Sequence, residues 1–284
     1  MSRPDRDIEL LHFIGFHYEV SQGQAHAEIF RGLSEVVVTR RVRSLADAGL
    51  LAIDRLNKTG INLLRLTPKG LDLLVEVGRS EADYFVPRKA VALKDLAHTL
   101  WINDISVMLR AKDPAPVTVL PAWQLQRRWD PSPGAIPDLL AIYEIPDIAK
   151  KIVISIEVDL GAERLNATFL PKLEKCAELL VNEWAPNDLA VIVVFTKGRR
   201  RALSLLKAAT ASLPVPIIVQ LLPSASGRET LRLISRAFRR YRLLIARAIT
   251  SSLATGESSR YAGGNEAAHM EEADSAGLRS GGLG

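Results

Sequence analysis

The sequence predicts a mixed α+β / α/β chain of two folded parts and a polar tail. Three observations carry this. Helical apolar spacing runs through the first fifty residues and is followed by two short apolar runs around an Asn-Lys-Thr-Gly turn. Strand-like apolar runs then alternate with longer helical stretches from about 117 to 221. Residues 251–284 are rich in Ser, Gly, Ala and Glu, with too little apolar surface to offset the entropy of ordering, so they are expected to be a disordered tail. The expected division is 1–80, 90–250 and 251–284, with the first break between Ser80 and Ala90, around Pro87.

In the first part, Ile8, Leu10, Leu11 and Ile14 mark a helix over 5–17. A short helix follows Ser21, with Ala25, Ile29 and Phe30 turned inward. A third helix starts at Ser34 or Glu35 and runs to Gly49, with Val38, Val42, Leu45 and Ala46 on one stripe. Gly49 suits a left-handed cap. The runs LLAIDR and NLLRLT form a hairpin, and Thr67 with Pro68 opens a further helix. Helix, helix, basic helix, hairpin, helix is the order of a winged helix-turn-helix. Arg40, Arg41 and Arg43 lie on the third helix, Arg40 and Arg43 three apart on a face away from the apolar stripe. Such donors reach phosphates and guanine edges in the major groove of double-stranded DNA. Arg55 and Lys58 on the wing are candidate contacts to an adjacent phosphate or the minor groove.

The second part starts with a helix over 90–111, with Leu93, Leu96, Leu100, Ile105 and Leu109 apolar. Strands are expected at about 117–125, 139–145 and 151–160, a helix at roughly 170–184 and a strand at 189–195. A helix after Gly198, a strand at 215–221 and a basic helix at about 228–248 complete it. The αβββαβ order is that of a PD-(D/E)xK-like domain. Asp138 opens the second strand, and Glu157 and Asp159 lie two apart on the third, so they face the same way. Three carboxylates at adjacent strand ends are candidate ligands for Mg²⁺, which would activate water and stabilise a pentavalent phosphate. The superfamily pattern wants Lys where Asp159 stands, and Lys172 on the next helix is the candidate substitute. The other reading has these acids paired with Glu163, Arg164 and Lys172 to fix the helix on the sheet, without catalysis or metal. His98 is either a hydrogen-bonded, half-buried core residue or a site residue. Cys176 reads as a small core residue. Trp123 and Trp129 beside Arg127 and Arg128 serve either packing or base stacking.

Composition sets limits on function. A single cysteine excludes a disulfide framework and a Cys-based zinc site, and fits a reducing cytosol. No run of 18 uncharged apolar residues suggests a membrane span, and acids interrupt the amino-terminal apolar run, unlike a signal peptide. The expectation is a cytoplasmic protein without a membrane partner. The net charge of +5 is unevenly spread: residues 196–250 hold 12 basic side chains against one acid, Glu229. That density points either to a polyanion such as the DNA backbone or to a solvated helix face.

Five ordered stretches, TRRVRSLADAGLL, LRLTPKG, LAHTLWINDISV, IPDLLAIYE and IEVDLGAERLNATFLPKLEKCAEL, give the chain a further likeness. It resembles the replication-relaxation family of plasmid and mobile-element proteins. The resemblance implies a winged helix and a second domain associated with plasmid replication and DNA relaxation. It places His98, Asn103 and Asp104 in a helix motif, Asp138 in a Pro-Asp motif, and Glu157, Asp159 and Lys172 in a Glu-x-Asp and Lys motif. The family's aromatic residue, usually Tyr, four positions after the Lys is Cys176 here, so a Tyr nucleophile is missing. The implied function is DNA binding in plasmid or mobile-element replication, relaxation or mobilisation, with metal-dependent nicking if the second domain is alive. The alternative is a winged-helix transcriptional regulator whose second domain is a catalytically dead assembly or sensing module. A homodimer reading two half-sites and plasmid replication or mobilisation proteins are the expected partners.

Overall fold

The computed structural model describes residues 3–56, 60–110, 116–128, 136–145, 150–185 and 188–222. All lie in one compact unit, Met1–Ile234. Lys58, Trp129, the basic helix expected at about 228–248 and the tail 251–284 fall outside the described residues. The described chain is a mixed α+β structure with helices and two sheets.

The amino-terminal region follows the expected element order: α1 (Arg3–His17), β1 (Val20–Ser21), α2 (Gln22–Glu28), α3 (Glu35–Asp47), β2 (Leu51–Leu56), β3 (Ile61–Leu66) and α4 (Pro68–Glu76). Its three strands form an antiparallel sheet in the order β1-β3-β2. Strand β1 is too short for alternation to reveal it in sequence. Local chemistry explains the boundaries. Ser21 and Gln24 form a reciprocal capping box on α2. Gly49 closes α3 in the left-handed conformation, φ 74°. The Thr67 hydroxyl accepts from Gly70 N, with Pro68 in the first turn of α4. Leu10, Leu11, Ile14, Phe30, Val38, Val42, Leu64 and Leu74 interlock as the core.

The carboxy-terminal described region contains α5 (Leu93–Arg110), β4 (Thr118–Pro121), α6 (Ala122–Arg128), β5 (Leu139–Ile145), β6 (Lys150–Asp159), α7 (Leu170–Leu179), β7 (Leu189–Thr196), α8 (Arg199–Ser212) and β8 (Ile217–Leu221). The sheet order is β4-β5-β6-β7-β8, antiparallel from β4 to β6 and parallel from β6 to β8. The start of β5 and the carboxyl ends of β6 and β7 therefore share one end of the sheet.

Three expectations need correcting. The strand expected at 117–125 stops at Pro121, and Ala122–Arg128 is helical. Pro121 has no N–H to continue the ladder, while Ala, Gln, Leu and Arg favour helix. This helix buries Trp123, whose indole N–H donates to the Phe16 carbonyl, so that ring serves packing and not base stacking. The helix expected over 170–184 is regular only to Leu179; wider π-type turns precede and follow it at Leu165–Phe169 and Leu180–Trp184. Leu93, one of the apolar positions read on α5, is exposed at the helix's first position.

Side chains on α5 and α6 bind the amino-terminal elements directly. Gln24 Nε2 donates to Leu100 O at 2.9 Å and Asp104 Oδ1 at 2.7 Å. Asn103 Nδ2 donates to Glu19 O at 2.7 Å, and the Glu19 carboxylate accepts from Val91 N.

Candidate functional site

Antiparallel register places Leu139 opposite Ile156, so Asp138 stands level with Glu157 at the sheet end. Asp138 Oδ2 accepts from Val158 N at 2.8 Å and lies 3.1 Å from His98 Nε2 of α5. Lys172, one turn into α7, donates to Glu157 Oε2 at 2.6 Å, and Cys176, one turn later, donates through Sγ to Oε1 at 3.7 Å. Glu157 is 1% exposed and Asp138 9%. Two hydrogen-bonded groups, His98–Asp138 and Lys172–Glu157–Cys176, thus stand side by side; both carboxylates are buried, while 36% of the His98 side chain is exposed.

Their protonation is split by environment. Burial pushes the Glu157 carboxyl up to about 8, with the Asp138 charge adding to it against the pull of Lys172. Burial also acts to raise Asp138, but the His98 hydrogen bond and the Lys172 charge outweigh it and hold Asp138 below the ordinary aspartate value. Burial lowers Lys172, yet the Glu157 and Asp138 charges dominate and keep it above the usual lysine value. His98 shows the same balance: burial lowers it, and its bond to Asp138 lifts it above an ordinary histidine. Burial, reinforced by Glu157, pushes the Cys176 thiol up, away from thiolate chemistry.

Asp159 points to the same sheet end but has separate partners. Arg201 grips it with two bonds, Nε to Oδ2 at 2.7 Å and Nη2 to Oδ1 at 3.2 Å. The Thr196 hydroxyl and Gly161 N donate to its two oxygens. Arg201 also reaches the Glu163 carbonyl at 2.9 Å and lies over the Phe169 ring. Sequence reading missed Arg201. Its signal was indirect: a buried strand-end Asp needs a cation, and three arginines follow Gly198. Among the described residues, no group of three or more His, Cys, Asp or Glu side chains is gathered as a metal cage.

The arginines of α3 separate in the same way. Arg40 and Arg43 are exposed, and among the described residues neither has a carboxylate partner. Together with Val36, Thr39 and Ser44 they line one shallow surface groove, whose lining also includes Glu35 and Asp47. Arg41 instead turns toward α1 and grips Asp7 through two bonds, Nε to Oδ1 at 2.6 Å being one. Arg55 is exposed near the tip of the β2–β3 hairpin.

Fold and site together define a mixed α/β protein with a small helix-and-hairpin region and a buried Asp–Glu–Lys cluster at the end of a five-stranded sheet. The family model described as replication-relaxation matches residues 11–191, and the chain belongs to the replication-relaxation family. The matched span contains α3 and the whole Asp138–Glu157–Lys172 cluster, and it ends before Arg201. No curated protein and no solved structure matches the chain. No described helix is long and apolar enough to cross a membrane.

Proposed function

We propose that this protein binds double-stranded DNA in the replication, relaxation or mobilisation of a plasmid or mobile element, in the cytoplasm. The amino-terminal region is read as a winged helix-turn-helix: α2 and α3 form the helix-turn-helix, α3 enters the major groove, and the β2–β3 hairpin is the wing. The observation that carries this is the pair Arg40 and Arg43, exposed side by side on α3 without an acidic partner among the described residues. Arg55, and Lys58 in the adjoining turn, would follow the backbone. Arg41 acts indirectly by tying α3 to α1 through Asp7. A homodimer would read two half-sites, and plasmid replication or mobilisation proteins are the fitting protein partners.

The second region is read as PD-(D/E)xK-like. Asp138 and Glu157 would hold Mg²⁺, and Lys172 takes the role of the superfamily lysine from a helix. When bound, the ion would lower the pKa of water and polarise a phosphodiester. Around it, Lys172 and His98 supply positive charge to a phosphate, and Asp138 orients His98. Asp159 serves the loop held by Arg201 in place of the chemistry.

One observation favours the alternative, a regulator with a catalytically dead second domain: both Glu157 oxygens are occupied by Lys172 and Cys176. Incubation of the full chain with supercoiled plasmid in Mg²⁺, Mn²⁺ or EDTA separates the readings. Metal-dependent open circles, lost in Asp138→Ala and Glu157→Ala while retardation persists, mark a nicking enzyme. Retarded but uncut plasmid in every condition marks the regulator. A plasmid that is neither cut nor retarded sinks the DNA reading.

A further inference from the structure

We infer that the sheet end beside the buried cluster carries a second DNA-backbone surface, made by Arg164, Lys197, Arg199 and Arg200. The inference rests on the DNA-binding reading above and adds a contact outside α3, three of whose four residues lie beyond the family-matched span.

The geometry starts at Asp159, the last residue of β6. Arg201 binds its carboxylate with two bonds and continues to the Glu163 carbonyl. One side chain of α8 thereby staples the loop 160–164 to the loop that follows β7. Lys197 N adds a bond to Asp159 O at 3.1 Å. The two loops therefore keep a fixed relation, and four exposed cations border them: Arg164 on one loop, Lys197 on the other, and Arg199 and Arg200 in the first turn of α8 that follows. Glu163 is the single acid on these two loops, and the Asp159 charge is already matched by Arg201.

Among the described residues none of the four cations is held in an ion pair. Arg199 and Arg200 are exposed and stand at the amino end of α8, where the helix dipole disfavours cations. A rigid rim of four uncompensated cations suits a polyanion whose charges repeat along a line, and the duplex backbone is that ligand. The rim stands at the sheet end that also holds Asp138, Glu157 and Lys172. A duplex on it would run past that cluster, whether the cluster cuts or only binds.

The test is the salt dependence of duplex binding by the full chain, using a fluorescent duplex of about 30 base pairs. Each phosphate contact adds about 0.9 to the slope of log K against log salt. The triple variant Lys197→Ala/Arg199→Ala/Arg200→Ala should lower the slope by about 2–3, whereas Arg199→Lys/Arg200→Lys should leave it in place. A wild-type slope in the triple variant, with its thermal transition intact, overturns the rim. A wild-type chain that binds no duplex even at low salt overturns the DNA reading and this surface with it.

Discussion

Gly70 shows how a single atom sets the amino-terminal region. A Cβ there would stand 2.1 Å from the Leu50 carbonyl oxygen, a backbone atom with little room to move. Gly70→Ala should therefore lower stability by about 1–3 kcal/mol, read from urea unfolding, since overpacking shifts backbone. Two buried ionisable groups act in opposite senses. Burial lowers His17 to about 3, so the folded chain keeps it neutral while the unfolded chain binds a proton below about 6.5. Stability from His17 is complete above that value and falls as pH drops. Burial raises Asp104 to about 6, so the folded chain holds its proton better than the unfolded chain, and stability from Asp104 falls as pH rises from about 4 to 6. Asp104→Asn, which keeps an oxygen for Gln24, should make the loss of stability between pH 6 and 4 steeper than in wild type. Urea midpoints at pH 6, 5 and 4 check this; an unchanged slope contradicts it. Asp138 and Glu157 were legible as site candidates because strand period two and the Pro-Asp pair are local signals; Lys172 was legible only through likeness to known patterns. Pairing of Lys172 with these acids was one of the alternatives the sequence offered, but which acid it meets was not legible, nor was the Asp159–Arg201 pair, whose partners lie 42 positions apart.

Among the elements, α3 divides its three arginines by direction. Spacing put Arg40 and Arg43 on one face and Arg41 was given the same role, yet a helix advances 100° per residue, and Arg41 lands on the side facing Asp7. Arg41→Ala should lower the melting temperature by a few degrees by leaving the buried Asp7 unpaired. Arg40→Ala should leave that temperature unchanged. Thermal unfolding of the two variants side by side decides it; equal losses would remove the distinction. Elements with strong local signals, such as α3 with Gly49 and α4 with Thr67-Pro68, were readable to within about two residues. Strand β1 and helix α6 were not. The first is two residues long and exists only through pairing with β3, and the second continues an apolar alternation that Pro121 converts to helix.

For the whole described molecule, the elements meet through polar side chains that a linear pattern does not reveal. Gln24 caps α2 and also binds α5, and Asn103 of α5 holds the Glu19 carbonyl. The segment between Ser80 and Ala90 is likewise held, with Tyr84 buried and Phe85 N donating to Gly15 O. The central claim is that α3 presents Arg40 and Arg43 to duplex DNA from this framework. The most direct measurement is duplex affinity against salt for the full chain and for Arg40→Ala/Arg43→Ala. The expected result is weaker binding with a slope smaller by about 2 if both contact phosphates, or lost sequence preference with a smaller slope change if one reads guanine. Unchanged affinity, slope and preference in a folded double variant would contradict it.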